Sequence, residues 1–274
     1  MLLRMQNLEC DLRIDVFVDG KAYAAKGRYA EQALPNARPN AFFRSVYRLD
    51  IDFSLALPSA NAMEPNRMIL VCHTSDHGTG HQVDRYTHIE GNRYSSTVDL
   101  NRLADRLLST NREVFFTQVS EVRNLGAMAG MMRQMYRFYE FTHLRREDLQ
   151  HEETIPAVKL TGTLRNIYYR ELLSKFGGLS DQGDYPPGFP SDVEVWIGMH
   201  DYFPYKIRYL RKTSSQHSEQ IQTAPKELLF QEAFFNVVIN GPTLPDFRFA
   251  PLNLPEGVFR PEDETDRVIQ MLGL

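Results

Sequence analysis

The stretch Val193-Glu-Val-Trp-Ile-Gly-Met-His-Asp-Tyr-Phe-Pro-Tyr-Lys-Ile-Arg-Tyr209 decides how the chain folds. Val193, Val195, Ile197 and Met199 recur at period two. After a short turn at His200-Asp201-Tyr202, Phe203, Tyr205, Ile207 and Tyr209 do the same. That period puts successive side chains on opposite faces of a strand. The residues therefore predict two strands with one face buried and one wet, the habit of antiparallel sheets.

Working outward, the same alternation returns at Leu12, Ile14, Val16 and Val18, and at Tyr47, Leu49, Ile51, Phe53 and Leu55. It returns again between Leu228 and Ile239, with Leu229, Phe235, Val237 and Ile239 on one side. Asp19-Gly20 is a good hairpin dipeptide and predicts a turn into Tyr23–Glu31. Helical spacing is rarer. Asp99 is placed to cap a helix carrying Leu100, Leu103, Leu107 and Leu108. Further helices are expected over Leu125–Tyr139, over Leu164–Phe176 with Gly177-Gly178 as its stop, and over Glu262–Leu272. Strands, then helices, then strands predict an α+β fold: one large antiparallel sheet with helices against a single face. The chain reads as a single domain over residues 1–274. Two loops, Gly177–Ser191 and Thr213–Pro225, are longer than plain connections need.

At 274 residues, 42% hydrophobic and 24% charged, the chain can bury a sizeable core without disulfides or metal. A net charge of −4 argues against a nucleic-acid binder, which needs a basic face. Cys10 and Cys72 could pair or both be free. No apolar run approaches the roughly 18 residues of a membrane span. The opening MLLRMQNLEC is too short and polar for a signal peptide. The chain is thus expected to be cytoplasmic, or a mature form whose export signal was removed.

The sharpest local cluster is Cys72-His-Thr-Ser-Asp-His-Gly-Thr-Gly-His81. Cys72, His73, Asp76, His77 and His81 are ligand types that zinc accepts, though their spacing matches no standard zinc pattern. A polar turn between two strands accounts for them better, and no metal site is expected. No nucleophile elbow, phosphate loop or dinucleotide fingerprint occurs, and no cofactor is expected. Paired carboxylates such as Glu152-Glu153 and Asp263-Glu264 read as solvated charge. Met128, Met131, Met132 and Met135 lie at helical spacing. Methionine suits surfaces that accept varied apolar partners, so these residues form either an adaptable lid or plain core.

The stretch Val193–Tyr209 also resembles the hairpin of outer-membrane lipoprotein carrier-like (LolA/LolB-like) proteins. Supporting features are the strand ending Asn240-Gly241-Pro242, Phe247-Arg-Phe-Ala-Pro251, Glu256-Gly257-Val258, and the openings Gly27-Arg-Tyr29 and Tyr47-Arg-Leu49-Asp-Ile51. The resemblance is to a long version of that family. It implies an incomplete β-barrel, a curved sheet with helices covering its concave face, which binds acyl chains or lipidated proteins outside the cytoplasm and has no catalytic residues.

The expected function is therefore non-enzymatic binding or carriage of an apolar ligand in the periplasm or cell envelope. Lipid or lipoprotein acyl chains are the expected partners, with peripheral membrane contact and no nucleic acid. Tyr47, Leu49, Ile51, Phe53, Val195, Ile197, Tyr205, Ile207, Phe235 and Val237 are the expected wall, and Met128, Met131, Met132 and Met135 the lid. The rivals are a protein-interaction module with a filled core and a metal-dependent enzyme using His73, His77 and His81.

Overall fold

The protein is described from a computed structural model, over residues 5–18, 20–34, 45–53, 66–74, 81–108, 128–150, 154–166, 190–212, 226–251 and 261–271. Six strands come first: β1 (Asn7–Val18), β2 (Lys21–Ala33), β3 (Ser45–Asp52), β4 (Arg67–Thr74), β5 (His81–Ile89) and β6 (Asn92–Asp99). Helices α1 (Leu100–Leu108) and α2 (Met128–Phe138) follow. Next come β7 (Tyr139–Arg146), β8 (Leu149–Gln150), β9 (Thr154–Ile155), β10 (Ala157–Leu164), β11 (Asp192–Gly198), β12 (Pro204–Lys212) and β13 (Lys226–Ile239). A 3₁₀ turn (Asp246–Phe249), β14 (Glu262–Asp263) and α3 (Thr265–Met271) complete the order.

Twelve strands share one hydrogen-bonded sheet in the order β14-β6-β5-β4-β3-β2-β1-β13-β12-β11-β10-β7, while β8 and β9 pair separately. The sheet has two ends and does not close. It is mixed, because β14 runs parallel to β6. The described residues are mostly β, and of the expected α+β fold the large sheet is seen, whereas helices covering one face of it are not seen among them. Among the described residues the helices are three short ones of 9, 11 and 7 residues. Two expected helices begin later than the spacing predicts, because their first residues pair in strands, and Asn166 and Thr265 are then helical. Leu164 closes β10 opposite Tyr139, and Glu262-Asp263 pairs with Ser96-Thr97 before α3 begins. Residues 125–127, 167–189, 213–225 and 252–260, with the helix and loop expectations on them, lie outside the described residues, as do Asp19, Leu55, Asp76, His77, Glu152, Glu153 and Leu272.

By compactness the chain divides into two units. The first is Met1–Leu2, Arg13–Ala24 and Met135–Phe235; the second is Leu3–Leu12, Ala25–Gln134 and Asn236–Leu274.

Local chemistry explains the turns and caps. Gly20 takes φ +75 between β1 and β2, the left-handed conformation a tight hairpin requires. Between β11 and β12, Asp201 closes the turn by accepting the Phe203 N–H (2.9 Å) and the Tyr205 hydroxyl (2.6 Å). Asp99 caps α1 by accepting the N–H groups of Asn101 (2.8 Å) and Arg102 (3.2 Å). The cap is itself held from α3, since the Thr265 hydroxyl accepts the Asp99 N–H at 2.9 Å.

The simple inside-out alternation is also modified. In β3, Tyr47 and Ile51 are buried on one face, yet Val46 is buried on the other, against Ala30 and Phe249 of the 3₁₀ turn. In β1 the apolar side fades toward the hairpin: Leu12 is buried, whereas Val16 and Val18 are 37% and 51% exposed.

Two substitutions test this scaffold. A Cβ on Gly27 would stand 2.5 Å from the Asp50 carbonyl oxygen and 3.2 Å from the Leu12 side chain. Gly27→Ala should therefore destabilise by about 1–3 kcal/mol in equilibrium denaturation, because backbone cannot move aside as a side-chain tip can. Asp99→Ala should cost about 1 kcal/mol, with an unchanged denaturant slope.

Candidate ligand-binding face

In the second unit the strand register lines up three rows on one face. Glu31, Tyr47, Cys72 and Val83 form the first; Tyr29, Leu49, Leu70 and Arg85 the second; Gly27, Ile51, Met68 and Thr87 the third. Tyr29, Glu31, Tyr47, Ile51, Cys72 and Val83 are buried. Leu49, Met68 and Leu70 are only half-buried, and so is Phe53 just beyond β3. β3 and β4 are interior strands of the sheet. An apolar patch thus keeps part of its surface open where the backbone is fully paired.

Above the first two rows, the start of α2 is tied to the sheet. The Glu31 carboxylate accepts the Tyr29 hydroxyl at 2.7 Å and the Met128 N–H at 3.3 Å, and the Tyr29 oxygen also accepts that N–H at 3.1 Å. A negative group at the N-terminus of a helix is favoured by the helix dipole and satisfies N–H groups that the helix itself cannot. Burial raises the Glu31 pKa above the usual carboxylate value and outweighs the hydrogen bonds from Tyr29, Ser45 and Met128 that pull it down. The Tyr47 ring stacks on Tyr29 at 6.4 Å, but its hydroxyl is sealed from solvent and has no hydrogen-bond partner. Cys10 and Cys72 are buried free thiols, each pushed up to about 12 chiefly by burial. They are packing groups rather than nucleophiles.

In the first unit, Leu160, Val195, Ile207 and Glu232 stand side by side across β10, β11, β12 and β13. Val195 and Ile207 are fully buried. One rung along, Tyr209 faces Phe230 with ring centroids 5.6 Å apart, and on the other side Phe234 meets Phe203 edge-on at 5.6 Å. Amid these apolar groups the Glu232 Oε2 is sealed from solvent without a hydrogen-bond partner. Burial alone pushes its carboxyl up to about 7.

The opposite face of the same strands is polar. The Arg13 guanidinium holds Asp15 at 2.9 Å; Gln231 donates to Asp15 at 3.2 Å and accepts from Arg208 at 2.9 Å; Lys159 pairs with Glu194 at 2.7 Å. Trp196 lies among Lys159, Arg208 and Lys206 at 4.7, 5.2 and 5.5 Å from its ring centre, and its N–H donates to Glu147 at 3.2 Å.

The sequence-derived wall residues distribute unevenly over these faces. Tyr47, Leu49 and Ile51 share one face in the second unit, and Val195 and Ile207 share one in the first. Ile197 follows a register shift and pairs with Pro204, not Tyr205. Tyr205 packs with Trp196, Leu149 and Ala157 on the polar side. Phe235 alternates away from Glu232 and Phe234. Val237 is half-buried beyond Asn236, which takes φ 49 and donates to Asp11 at 2.8 Å. On α2, Met128 and Met135 are buried, whereas Met131 and Met132 are half-buried.

The histidine cluster does not assemble from the described residues. His73 turns to the face opposite Cys72 and bonds Asp84 at 2.9 Å, while Gln82 and Thr97 also hold that carboxylate. His81 sits across from Thr74, its pKa lowered by burial and then by His73. No metal-holding group of three His, Cys, Asp or Glu occurs among the described residues. Reading the sequence missed Glu31 and Glu232. The signal for Glu232 was present: an acid two residues from both Phe230 and Phe234, at the period that puts all three on one face of a strand.

No family model matches the chain, and no curated protein matches it. Solved structures do match. A DUF1329 family protein from Desulfovibrio piger is 10% identical, covers 91% of each chain and has a TM-score of 0.34. A lipoprotein-sorting domain of the outer membrane from Vibrio parahaemolyticus is 10% identical over 89% of this chain and 88% of its own, with a TM-score of 0.30. A LolA superfamily protein from Nitrosomonas europaea is 11% identical over 90% and 91%, with a TM-score of 0.22.

Proposed function

We propose that this chain is a non-enzymatic binder or carrier of an apolar ligand, an acyl chain, a lipid or the acyl group of a lipidated protein, in the bacterial cell envelope. One observation carries the reading: Leu49, Met68 and Leu70 stay half-buried on one face of interior strands, framed by buried neighbours. Apolar surface held open in this way gains from any chain that covers it, at about 0.8 kcal/mol per methylene removed from water. The envelope location and the lipoprotein partner come from the family resemblance. Helix α2 supplies the cover: Glu31 fixes its start, and Met131 and Met132 turn partly open, adaptable side chains to the ligand. No helix among the described residues is long and apolar enough to cross a membrane, so membrane contact in this reading is peripheral.

Native mass spectrometry of gently purified protein, with lipid extraction, should reveal a co-purifying fatty acid or phospholipid near one per chain. A fluorescent fatty-acid probe should bind, and Leu70→Asp should weaken it by about tenfold or more, a charge on the patch being costly to bury. Phe247→Ser, on the 77% exposed residue of the 3₁₀ turn, should leave binding unchanged. A clean ligand-free mass together with no probe binding would sink this reading and leave an interaction module with a filled core.

A further inference from the structure

Glu232 sets a separate question, because a carboxyl is costly to hold away from water without a partner. Its Oε2 is sealed and unpartnered on the face of β13 that carries Phe230 and Phe234, opposite the fully buried Ile207. The residue as a whole remains half-buried, so the side chain lies at the margin of the apolar face and not deep within a closed core. The cations of the neighbouring strands that are closest in register, Lys206 and Arg208, alternate to the opposite face, where Trp196 and Gln231 engage them. On the Glu232 face, Arg211 is two residues past Tyr209 and is held by Glu227 at 2.5 Å, and Arg146 stands on the outermost strand, β7. Among the described residues the remaining neighbours offer no charge. β11 contributes Val193 and Val195, and β1 contributes Ile14 and Val16, since Asp15 faces the other way toward Gln231. Tyr209 and Tyr139 are the phenols near it, and burial followed by Glu232 raises the Tyr209 pKa.

We propose that Glu232 anchors a binding site for the cationic end of an apolar molecule, a primary ammonium on an alkyl body, with the chain lying along the half-buried Tyr209 and Phe230. Among the described residues the carboxylate has no cation, and an ammonium supplies both the charge and the hydrogen-bond donors it needs. The rings of Tyr209, Phe230 and Phe234 add their negative faces to the same preference. An anionic head is disfavoured by like charge, so this site discriminates against the free carboxylate of a fatty acid. It rests on residues other than the Leu49–Leu70 patch and does not depend on that patch binding lipid.

The test compares dodecylammonium, dodecanol and dodecanoate, one alkyl chain with three heads, by calorimetric titration of the full chain below their micelle concentrations. Dodecylammonium should bind tightest and dodecanoate weakest. Because the carboxyl is held near 7, ammonium affinity should rise about tenfold between about pH 6 and about pH 8 as the carboxylate forms, while dodecanol stays level. Glu232→Gln, nearly isosteric, should abolish both the ammonium preference and its pH dependence while keeping dodecanol affinity. The wild-type pH profile stands as evidence even if that variant folds poorly. Leu70→Asp separates the two proposals, since it should weaken the fatty-acid probe and leave the ammonium preference intact. Equal binding of all three heads, a preference for dodecanol, a preference that survives in Glu232→Gln, or no binding of any head would each overturn the proposal.

Discussion

The structure depends on side-chain parity across the β-sheet. Successive residues of a strand point to opposite faces, and each ladder partner inherits the face of the residue it pairs with. In the first unit this puts Leu160, Val195, Ile207 and Glu232 on one face, and Lys159, Trp196, Lys206 and Ala233 on the other. A slip of one residue in β12 would push Lys206 and Arg208 among apolar groups and expose Ile207. The cross-strand contacts of the polar face, Arg208 to Gln231 and Lys159 to Glu194, and Gln231 on to Asp15, hold that register from the solvent side. The charges therefore do more than confer solubility, since they help define which residues meet a ligand.

Parity also determines what could be read from the sequence. Strands β1, β2, β3, β11, β12 and β13, the Gly20 hairpin, the Asp201 turn and the Asp99 cap were legible because each rests on residues close together in the chain. Their faces were legible only where the ladder is regular. The register shifts between Tyr209 and Leu210, and again between Trp196 and Ile197. Each extra residue reverses the parity that simple alternation assumes. That is why Leu229 and Phe235 could not be placed by counting, and why Tyr205 packs beside Trp196 instead of beside Ile207. The parallel β14 and the burial of Val46 by the 3₁₀ turn are long-range events with no local signature. Of the candidate site, Leu49, Val195 and Ile207 were visible in the alternation, whereas Met68, Leu70 and the two acids were not singled out.

The methionine helix shows how one contact changes the meaning of a pattern. Helical spacing alone made Met128, Met131, Met132 and Met135 equivalent. The bond from the Met128 N–H to Glu31 makes them unequal, because it fixes one end of α2 on the sheet. Met128 and Met135 are then anchors, and Met131 and Met132 keep open surface. A lid of this kind needs a fixed end and adaptable contacts, and polarizable, unbranched side chains supply the second.

Glu31 and Glu232 are a natural contrast, since burial raises the pKa of both. Glu31 is fully accounted for by the protein: a tyrosine hydroxyl and a helix N–H use its oxygen, and its role ends in tying α2 down. Glu232 has the same chemistry with no such use. Replacing it with an apolar residue of similar size would relieve the desolvation cost without breaking any bond, so stability does not explain its presence. A group that weakens the empty protein and would be compensated by a ligand carries the energetic mark of a binding site. The same reasoning sets the sign of its partner, because on this apolar face the carboxylate lacks positive charge more than anything else.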